Sequence, residues 1–312
     1  MSSIKTNFSA MTALQSLQMT NKELLETQQR ISTGYRVGSA EDNAAYWSIA
    51  TAMRSDRSAL STVQDALGLG SATVDVAYTA LESAIDVTSE MKSKLVAARE
   101  PGVDRTRIQS EVSELQKQLV SIAGSANFSG QNWLSVDSSA AGYNATRSIV
   151  SSFSRAADGS IVIGTISVDI SETKLFDSSA AAVGIIDALR DTTGAVAASG
   201  FSLSAINIDA LTDSPADLVT LESYIKGADA AIKEMTGAGT SLGSVKQRVN
   251  LQKEFVRTLL DAIDRGVSAL VDADMNEEST KLQALQVQQQ LGVQALSIAN
   301  SSSQNILALF RN

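Results

Sequence analysis

The sequence predicts a mainly α-helical protein: a bundle core of long helices, terminal helices that form a coiled coil, and a small β-rich or irregular outer insert. Three observations lead to this fold class. Apolar residues recur every three or four positions in both halves, only two prolines interrupt 312 residues, and aromatic residues make up only 4% of the chain. Where small side chains replace aromatic ones, helices approach closely, so the composition favours narrow helix–helix seams over a thick globular core.

The longest heptad series alternates steps of three and four residues without a slip. Its members are Leu60, Val63, Leu67, Gly70, Val74, Ala77, Leu81, Ala84, Thr88, Met91, Leu95 and Ala98. This repeat predicts one helix of roughly 60 Å at about 1.5 Å per residue. Pro101 and Gly102 predict its end, and a second helix with an apolar face follows over 108–122. Residues 127–130 then predict a turn.

The chain's two ends carry the same spacing, but polar residues interrupt their seams. The N-terminal register contains Leu14, Leu17, Leu24 and Ile31, with Asn21 and Gln28 as interruptions. The C-terminal register contains Leu282, Leu285, Leu296, Ala299, Ile306 and Phe310, interrupted by Gln289, Gly292 and Ser303. Polar seam residues lower stability and fix register or oligomeric state, so such helices need partners. An antiparallel coiled coil within one molecule and pairing with other copies both satisfy this pattern.

A Ser-, Ala-, Gly- and Asp-rich segment of roughly residues 135–215 separates the helical halves. Alternating apolar residues over 161–170 predict a strand, and a change of phase near Gly164 predicts a bulge or hairpin turn there. Residues 178–200 have no clear pattern. We expect them to form an exposed loop that tolerates insertion.

Composition excludes several kinds of site. Because the chain has no Cys and no His, it cannot form a disulfide, a Cys/His zinc site, a thiol nucleophile or a Ser-His-Asp triad. The net charge is −9 with scattered Lys and Arg, which argues against nucleic-acid binding. No apolar run is long enough for membrane insertion, and the first residues lack the plan of a secretory signal.

No metal or cofactor site is predicted. Asp272 and Asp274 lack the spacing of a calcium loop, so a cap of the last helix is the better interpretation. An enzyme that uses paired carboxylates, such as a glycosidase, remains open as an alternative. An aromatic-poor chain is poorly equipped to build the pocket that such an enzyme needs.

The segment Arg30–Ala45 resembles the N-terminal signature of bacterial flagellins, of the alphaproteobacterial type, at every position that the signature specifies. The blocks 273–292 and 304–311 resemble the second conserved region of that family. The resemblance covers roughly residues 1–134 and 216–312.

This resemblance implies a structural subunit that polymerises into the extracellular flagellar filament for swimming motility and is exported unfolded by the flagellar type III apparatus. It implies a terminal coiled-coil domain of residues 1–43 and 272–312, disordered in the free monomer, that lines the inner tube. Residues 44–134 and 216–271 would form the helical-bundle core, and 135–215 a β-hairpin and variable surface region. Implied partners are further copies of the chain, other flagellins, an export chaperone, and hook-junction and cap proteins. A hook–filament junction protein with similar ends is the alternative.

The residues expected to carry filament assembly follow from the seams and the signature: Leu14, Leu17, Leu24, Arg30, Ile31, Gly34, Arg36, Asp42, Leu285, Leu296, Ile306 and Phe310. Arg30 and Arg36 are expected to pair with carboxylates, either across subunits or within one subunit, at the bend between the first two helices. Gly34 and Gly38 are expected to take positive φ there.

In family members that activate the host Toll-like receptor, the contact patch includes an Arg, a Leu four residues later and a Glu on the following helix. An ungapped comparison places Glu90 at the Arg position, Lys94 at the Leu position and Glu111 at the acidic position. The resemblance therefore implies a poor receptor agonist, because one charge is reversed and an apolar anchor is lost.

Overall fold

The computed structural model describes residues 7–156, 159–179 and 182–309, without the side chains of 302–309. Within these residues the mainly α-helical fold class is confirmed. The helices are α1 (Phe8–Thr33), α2 (Ala44–Ala97), α3 (Arg105–Ser125), α4 (Pro215–Val271) and α5 (Met275–Leu309). The chain divides into a terminal unit, Met1–Ser58 with Leu260–Asn312, and a central unit, Ala59–Leu259.

The core of the central unit is built on the heptad series of α2. All twelve positions of that series, from Leu60 to Ala98, are buried. The apolar face of α3 and an apolar stripe along α4 supply further buried side chains of the bundle, among them Val112, Leu115, Leu119, Leu221, Ala228, Ala231, Met235, Leu242 and Val249. Ion pairs join α2 to its neighbours, Lys94 with Glu111 on α3, and Lys92 with Asp229 on α4.

One arginine closes the end of this bundle where α2 stops, next to Pro101 and Gly102 as predicted. The Arg105 guanidinium donates to the Ala98 carbonyl at 3.0 Å and to the Leu211 carbonyl at 3.1 Å. It also forms an ion pair with Asp213 at 2.5 Å. Because its side chain is buried, Arg105 holds the start of α3 against the segment that leads into α4.

The described residues between α3 and α4 form three small two-stranded sheets. β1 (Asn127–Phe128) and β2 (Gln131–Asn132) form a tight hairpin at the predicted turn. β3 (Ser135–Val136) pairs in parallel with β6 (Phe176–Asp177), and β4 (Thr146–Arg155) pairs antiparallel with β5 (Ile161–Asp169). The register of the last pair slips between Val150 and Ser152, directly before the partner of Gly164. The bulge predicted near Gly164 is therefore confirmed.

The expectation that residues 178–200 form an exposed loop is wrong for the part that the structure describes. Ile186 and Ala188 are buried, and the Arg190 side chain is fully enclosed. Arg190 donates to both carboxylate oxygens of Glu234 on α4, at 3.0 and 2.6 Å, and to the carbonyls of Ile185 and Gly194. The segment gains its order from turns and one buried cation, which leave no periodic pattern in the sequence.

Two lysines make part of the central unit's stability dependent on pH. Hydrogen bonds from Lys233 and Lys92 lower the pKa of the Asp229 carboxyl to about 2. A lowered carboxyl pKa contributes stability above the ordinary value near 4 and loses it as the pH falls towards 2. The free energy of unfolding should therefore decrease less between pH 5 and pH 3 in Asp229→Asn than in the wild type. The difference should be modest, because the Asp229 carboxyl is partly exposed. Urea unfolding at pH 5 and pH 3 measures this, with Asp209→Asn on an exposed carboxylate as the matched control. An equal decrease in the free energy of unfolding of wild type and Asp229→Asn between pH 5 and pH 3 would contradict this prediction.

Candidate functional site

The terminal unit is built on the pairing of α1 with α5. The buried or half-buried positions of α5 are Glu278, Leu282, Leu285, Gln289, Gly292, Leu296 and Ala299. They follow the predicted heptad register, which is thereby confirmed up to Ala299. The side chain of Ile306 is not among those described, and Phe310 lies outside the described residues.

Three polar contacts set the antiparallel register of this pair. The Asn7 side chain donates to the Ala299 carbonyl at 2.9 Å, the Gln289 amide donates to Asn21 at 2.7 Å, and Arg30 pairs with Glu278 at 3.2 Å. The contacts lie at both ends and in the middle of α1. A shift by one heptad would leave each polar group without its partner, so the predicted interruptions at Asn21 and Gln289 specify register.

Gly292 is a further predicted interruption of this seam, whereas the prediction for Gln28 is wrong, because Gln28 is exposed and Thr27 is buried in its place. A Cβ atom at Gly292 would lie 3.1 Å from Leu17 Cδ1, tighter than ordinary van der Waals contact. The missing side chain therefore lets Leu17 pack against the backbone of α5. Leu24 and Ile31 continue the inward face of α1, as predicted.

The expectation that Leu14 lies in this seam is wrong, because its side chain is 45% exposed. Ala10 and Ala13 occupy the half-buried positions instead, one step out of phase with the predicted register. Alanines allow the two helices to approach closely at this end of the seam. The prediction failed there because it depended on large apolar residues.

Large apolar side chains lie exposed on the faces of α1 and α5 that are turned away from their seam. On α1 they fall within an arc of roughly 140° at about 100° per residue: Phe8, Met11, Leu14, Met19 and Leu25. On α5, Val287, Leu291 and Ile298 fall within roughly 40° by the same count. We call these two stripes together the outer face. Exposed apolar stripes of this extent mark an interaction surface.

The bend between α1 and α2 is held by backbone contacts with the end of α4. Gly34 takes the predicted positive φ of 76°, and its N–H caps α1 through the Arg30 carbonyl at 2.8 Å. Arg36 and Val37 both donate N–H groups to the Val271 carbonyl, at 2.7 and 3.2 Å. Val37 is buried against Val271 and Val267, which anchors the bend in the core of the terminal unit.

Within the subunit, the structure differs from two expectations for this bend. The Arg36 guanidinium donates to the Leu270 carbonyl at 3.0 Å, where a carboxylate partner was expected. A free carbonyl at the end of α4 needs a donor, and Arg36 supplies it. Gly38 does not take a positive φ. Its N–H instead points to Asp42, an arrangement that ordinary backbone angles allow.

Asp42 organises the residues directly before α2. Its carboxylate accepts from the N–H groups of Gly38 and Ser39 at 2.9 and 3.0 Å. The hydrogen bond from the Ser39 N–H is the main cause that lowers the pKa of Asp42. Asn43 then caps α2, and Asp274 caps α5 as predicted by accepting from the Asn276 N–H at 2.8 Å. Arg30, Gly34, Arg36 and Asp42 thus stabilise the bend within the subunit.

Sequence reasoning missed Glu278 as the partner of Arg30. It is buried, and its second carboxylate oxygen has no hydrogen-bond partner among the described residues. Its position could have indicated its burial, because Glu278 lies four residues before Leu282 and so continues the inward heptad register of α5.

In the central unit, the three residues at the receptor-patch positions lie on neighbouring helices. Lys94 Nζ lies 2.6 Å from Glu111 Oε2, and this hydrogen bond raises the pKa of Lys94. Glu90 is exposed one turn earlier on α2. The acidic position is therefore already paired with a lysine of the same chain.

Among the described residues, no group of three or more carboxylates is placed to hold a metal ion. No helix in the described part of the chain combines the length and the apolar character needed to cross a membrane.

Comparisons with known proteins match this chain to bacterial flagellins. Residues 4–139 match the bacterial flagellin N-terminal helical region, and residues 225–310 match the bacterial flagellin C-terminal helical region. Flagellin C of Rhizobium meliloti is 51% identical over 326 aligned positions, and flagellin A of the same organism is 42% identical over 397. The flagellin of Brucella melitensis is 41% identical over 312 positions, and all three alignments cover 100% of both chains.

A crystal structure of Bacillus cereus flagellin aligns with a TM-score of 0.39 and 20% identity, covering 62% of this chain and 88% of that one. The family assignment does not depend on that alignment. Both conserved helical regions match flagellins, so the alternative of a hook–filament junction protein is not favoured. The chain belongs to the bacterial flagellin family.

Proposed function

We propose that this chain is a structural subunit that polymerises through its terminal helices into the bacterial flagellar filament, outside the cell, for swimming motility. The observation that carries the proposal is the outer face of the α1–α5 pair. The pair buries one face of each helix within the subunit and leaves large apolar side chains of both helices exposed. Copies of the same subunit would cover these side chains and gain the free energy of their burial.

The proposed layers follow the two conserved regions of the family. Residues 1–43 and 272–312 form the inner tube, 44–134 and 216–271 the helical-bundle core, and 135–215 the variable outer surface. The terminal helices complete their folding on assembly, because a helical pair with polar groups in its seam is marginal on its own. The subunit leaves the cell unfolded through the flagellar type III apparatus. Its further partners are other flagellins, an export chaperone, and hook-junction and cap proteins.

Electron microscopy of the purified full-length chain tests this function. We expect long filaments of uniform width at high concentration. Compact particles that never elongate would contradict it, and short closed rings would favour the junction protein.

A matched pair of variants tests the outer face. Leu291→Glu with Ile298→Glu places two charges on the stripe of α5, whereas Gln290→Glu with Asn300→Asp places two charges on exposed polar positions of the same helix. Because burying an unpaired charge is costly, we expect only the first pair to abolish filaments. The thermal unfolding of both monomers should match that of the wild type. Filaments from the first variant would rule out this face as a subunit contact.

We further propose that this flagellin is a poor agonist of the host Toll-like receptor. Lys94 stands where activating flagellins have an apolar anchor, and its ion pair with Glu111 neutralises the acidic position. Glu90 places a negative charge where the receptor meets an arginine. Like charges facing each other across an interface cost several kcal/mol.

We expect the Glu90→Arg, Lys94→Leu double variant to activate a receptor reporter cell line at least about tenfold more strongly than the wild type, corresponding to about 1.4 kcal/mol. Glu100→Arg with Lys117→Leu, on exposed positions of the same unit, is the control for altered charge alone. Strong activation by the unmodified protein would contradict the proposal.

A further inference from the structure

The described methionines of the two units differ in how far they are exposed. Met91 and Met235 of the central unit are completely buried, at 0% exposed. Met11 and Met19 on α1 are each 59% exposed, and Met275 at the start of α5 is 44% exposed. Met53 is half-buried in the core of the terminal unit. All the exposed methionines among the described residues therefore lie on α1 or in the first turn of α5.

We propose that Met11, Met19 and Met275 form an oxidation site through which peroxides block the addition of a free subunit to the filament. This inference rests on the proposed function, since it assigns a chemical sensitivity to the same assembling helices. The co-reactant is hydrogen peroxide or an alkyl hydroperoxide. Buried methionines react slowly because the peroxide cannot reach the sulfur, so exposure selects the three.

The reaction is a two-electron oxidation of sulfur. The thioether sulfur attacks one peroxide oxygen, an S–O bond forms, and the O–O bond breaks. The displaced hydroxide, or the displaced alkoxide of an alkyl hydroperoxide, takes up the remaining peroxide proton and leaves as water or as an alcohol. The product is methionine sulfoxide, so a flexible apolar side chain becomes a polar one with a strong hydrogen-bond acceptor.

Met11 and Met19 lie in the outer face together with Phe8 and Leu25. An apolar contact between subunits offers no donor to a sulfoxide oxygen, and burial of an unsatisfied polar group is unfavourable. Oxidation should therefore weaken subunit addition while it leaves the central unit folded, because Met91 and Met235 are enclosed. Once a subunit lies in the filament, its outer face is covered, and Met11 and Met19 should be protected.

Seeded elongation of the full-length protein tests the proposal. Monomer is treated with dilute hydrogen peroxide, quenched with free methionine, and mapped by peptide mass spectrometry. Filament fragments are then added, and elongation is followed by light scattering. We expect sulfoxide at Met11, Met19 and Met275 but not at Met91 or Met235, and an elongation rate at least about tenfold lower.

The triple variant Met11→Leu, Met19→Leu, Met275→Leu keeps similar apolar volume at each position. After the same treatment it should elongate as fast as its untreated form. Methionine sulfoxide reductases A and B provide a second measurement without any substitution, since they should restore elongation of oxidised wild type.

The outcomes separate this inference from the proposed function. If untreated wild type does not elongate on seeds, the proposed function fails. If untreated protein elongates and oxidised protein elongates equally well, or if the triple variant loses as much activity on oxidation as the wild type, the oxidation site is overturned. Failure of the reductases to restore elongation would overturn it as well. Unchanged thermal unfolding of the oxidised monomer is also expected, and early unfolding would mean that oxidation acts through the central unit instead.

Discussion

A chain that lacks residues 1–40, or one that lacks residues 275–312, should stay monomeric at concentrations at which the full chain forms filaments. Each deletion removes one member of the α1–α5 pair and leaves the other without its seam. A single amphipathic helix with polar seam residues is marginal in water, so both deletions should cause the same complete loss. The central unit should remain folded, because its buried residues lie within Ala59–Leu259.

Electron microscopy and analytical ultracentrifugation measure the loss of filaments, and circular dichroism measures the remaining helix and its cooperative melting. Filaments from either shortened chain would refute the requirement for the pair. In the intact protein, helical signal should increase as filaments form. A monomer that already has the helix content of the filament would contradict folding on assembly. It would not contradict the requirement of both terminal helices for filament formation.

Arg190→Ala should destabilise the central unit by about 3–5 kcal/mol, because it removes a fully buried cation that pairs with the partly exposed Glu234 and leaves two buried backbone carbonyls without donors. The Arg190 side chain is fully buried, and it bonds to Glu234 and to two backbone carbonyls. Glu234→Gln should cost a similar amount, since it leaves the buried cation without its counter-charge. Urea unfolding at neutral pH gives both values.

Lys226→Ala is the matched control for this pair. Lys226 forms an ion pair with Glu222 at 3.2 Å on the exposed side of the same helix, α4. Its removal should change stability by less than about 1 kcal/mol. If Arg190→Ala lost no more than this control, the segment around Arg190 would not be held by the buried contact.

The helices of the core could be predicted because their signal is local and regular. The α2 series from Leu60 to Ala98 repeats without a slip, and every member is buried. The α5 register was equally clear because large apolar residues mark it. The spacing of large apolar residues places Leu14 in the seam of α1, because the true seam positions there are alanines, which carry little periodic signal.

The segment 178–200 could not be predicted for a different reason. Its order depends on a pairing between Arg190 and Glu234, which are 44 residues apart and carry no shared motif. The partner of Arg30 was missed in the same way, because Glu278 is 248 residues away. Contacts of this kind are decided by tertiary packing, and a single sequence gives no register between distant segments.

The hydrogen bond from Asn7 to Ala299 joins residues separated by 292 positions. The α1–α5 pair is therefore among the most non-local contacts that a chain of this size can make, and closing so long a loop is slow. At a synthesis rate of about 5–20 residues per second, α1 precedes its partner by roughly 15 to 60 s. During that interval neither its seam nor its outer face is covered. A nascent α1 therefore exposes apolar side chains on both its seam and its outer face, and whether it aggregates depends on how quickly a binding protein covers it.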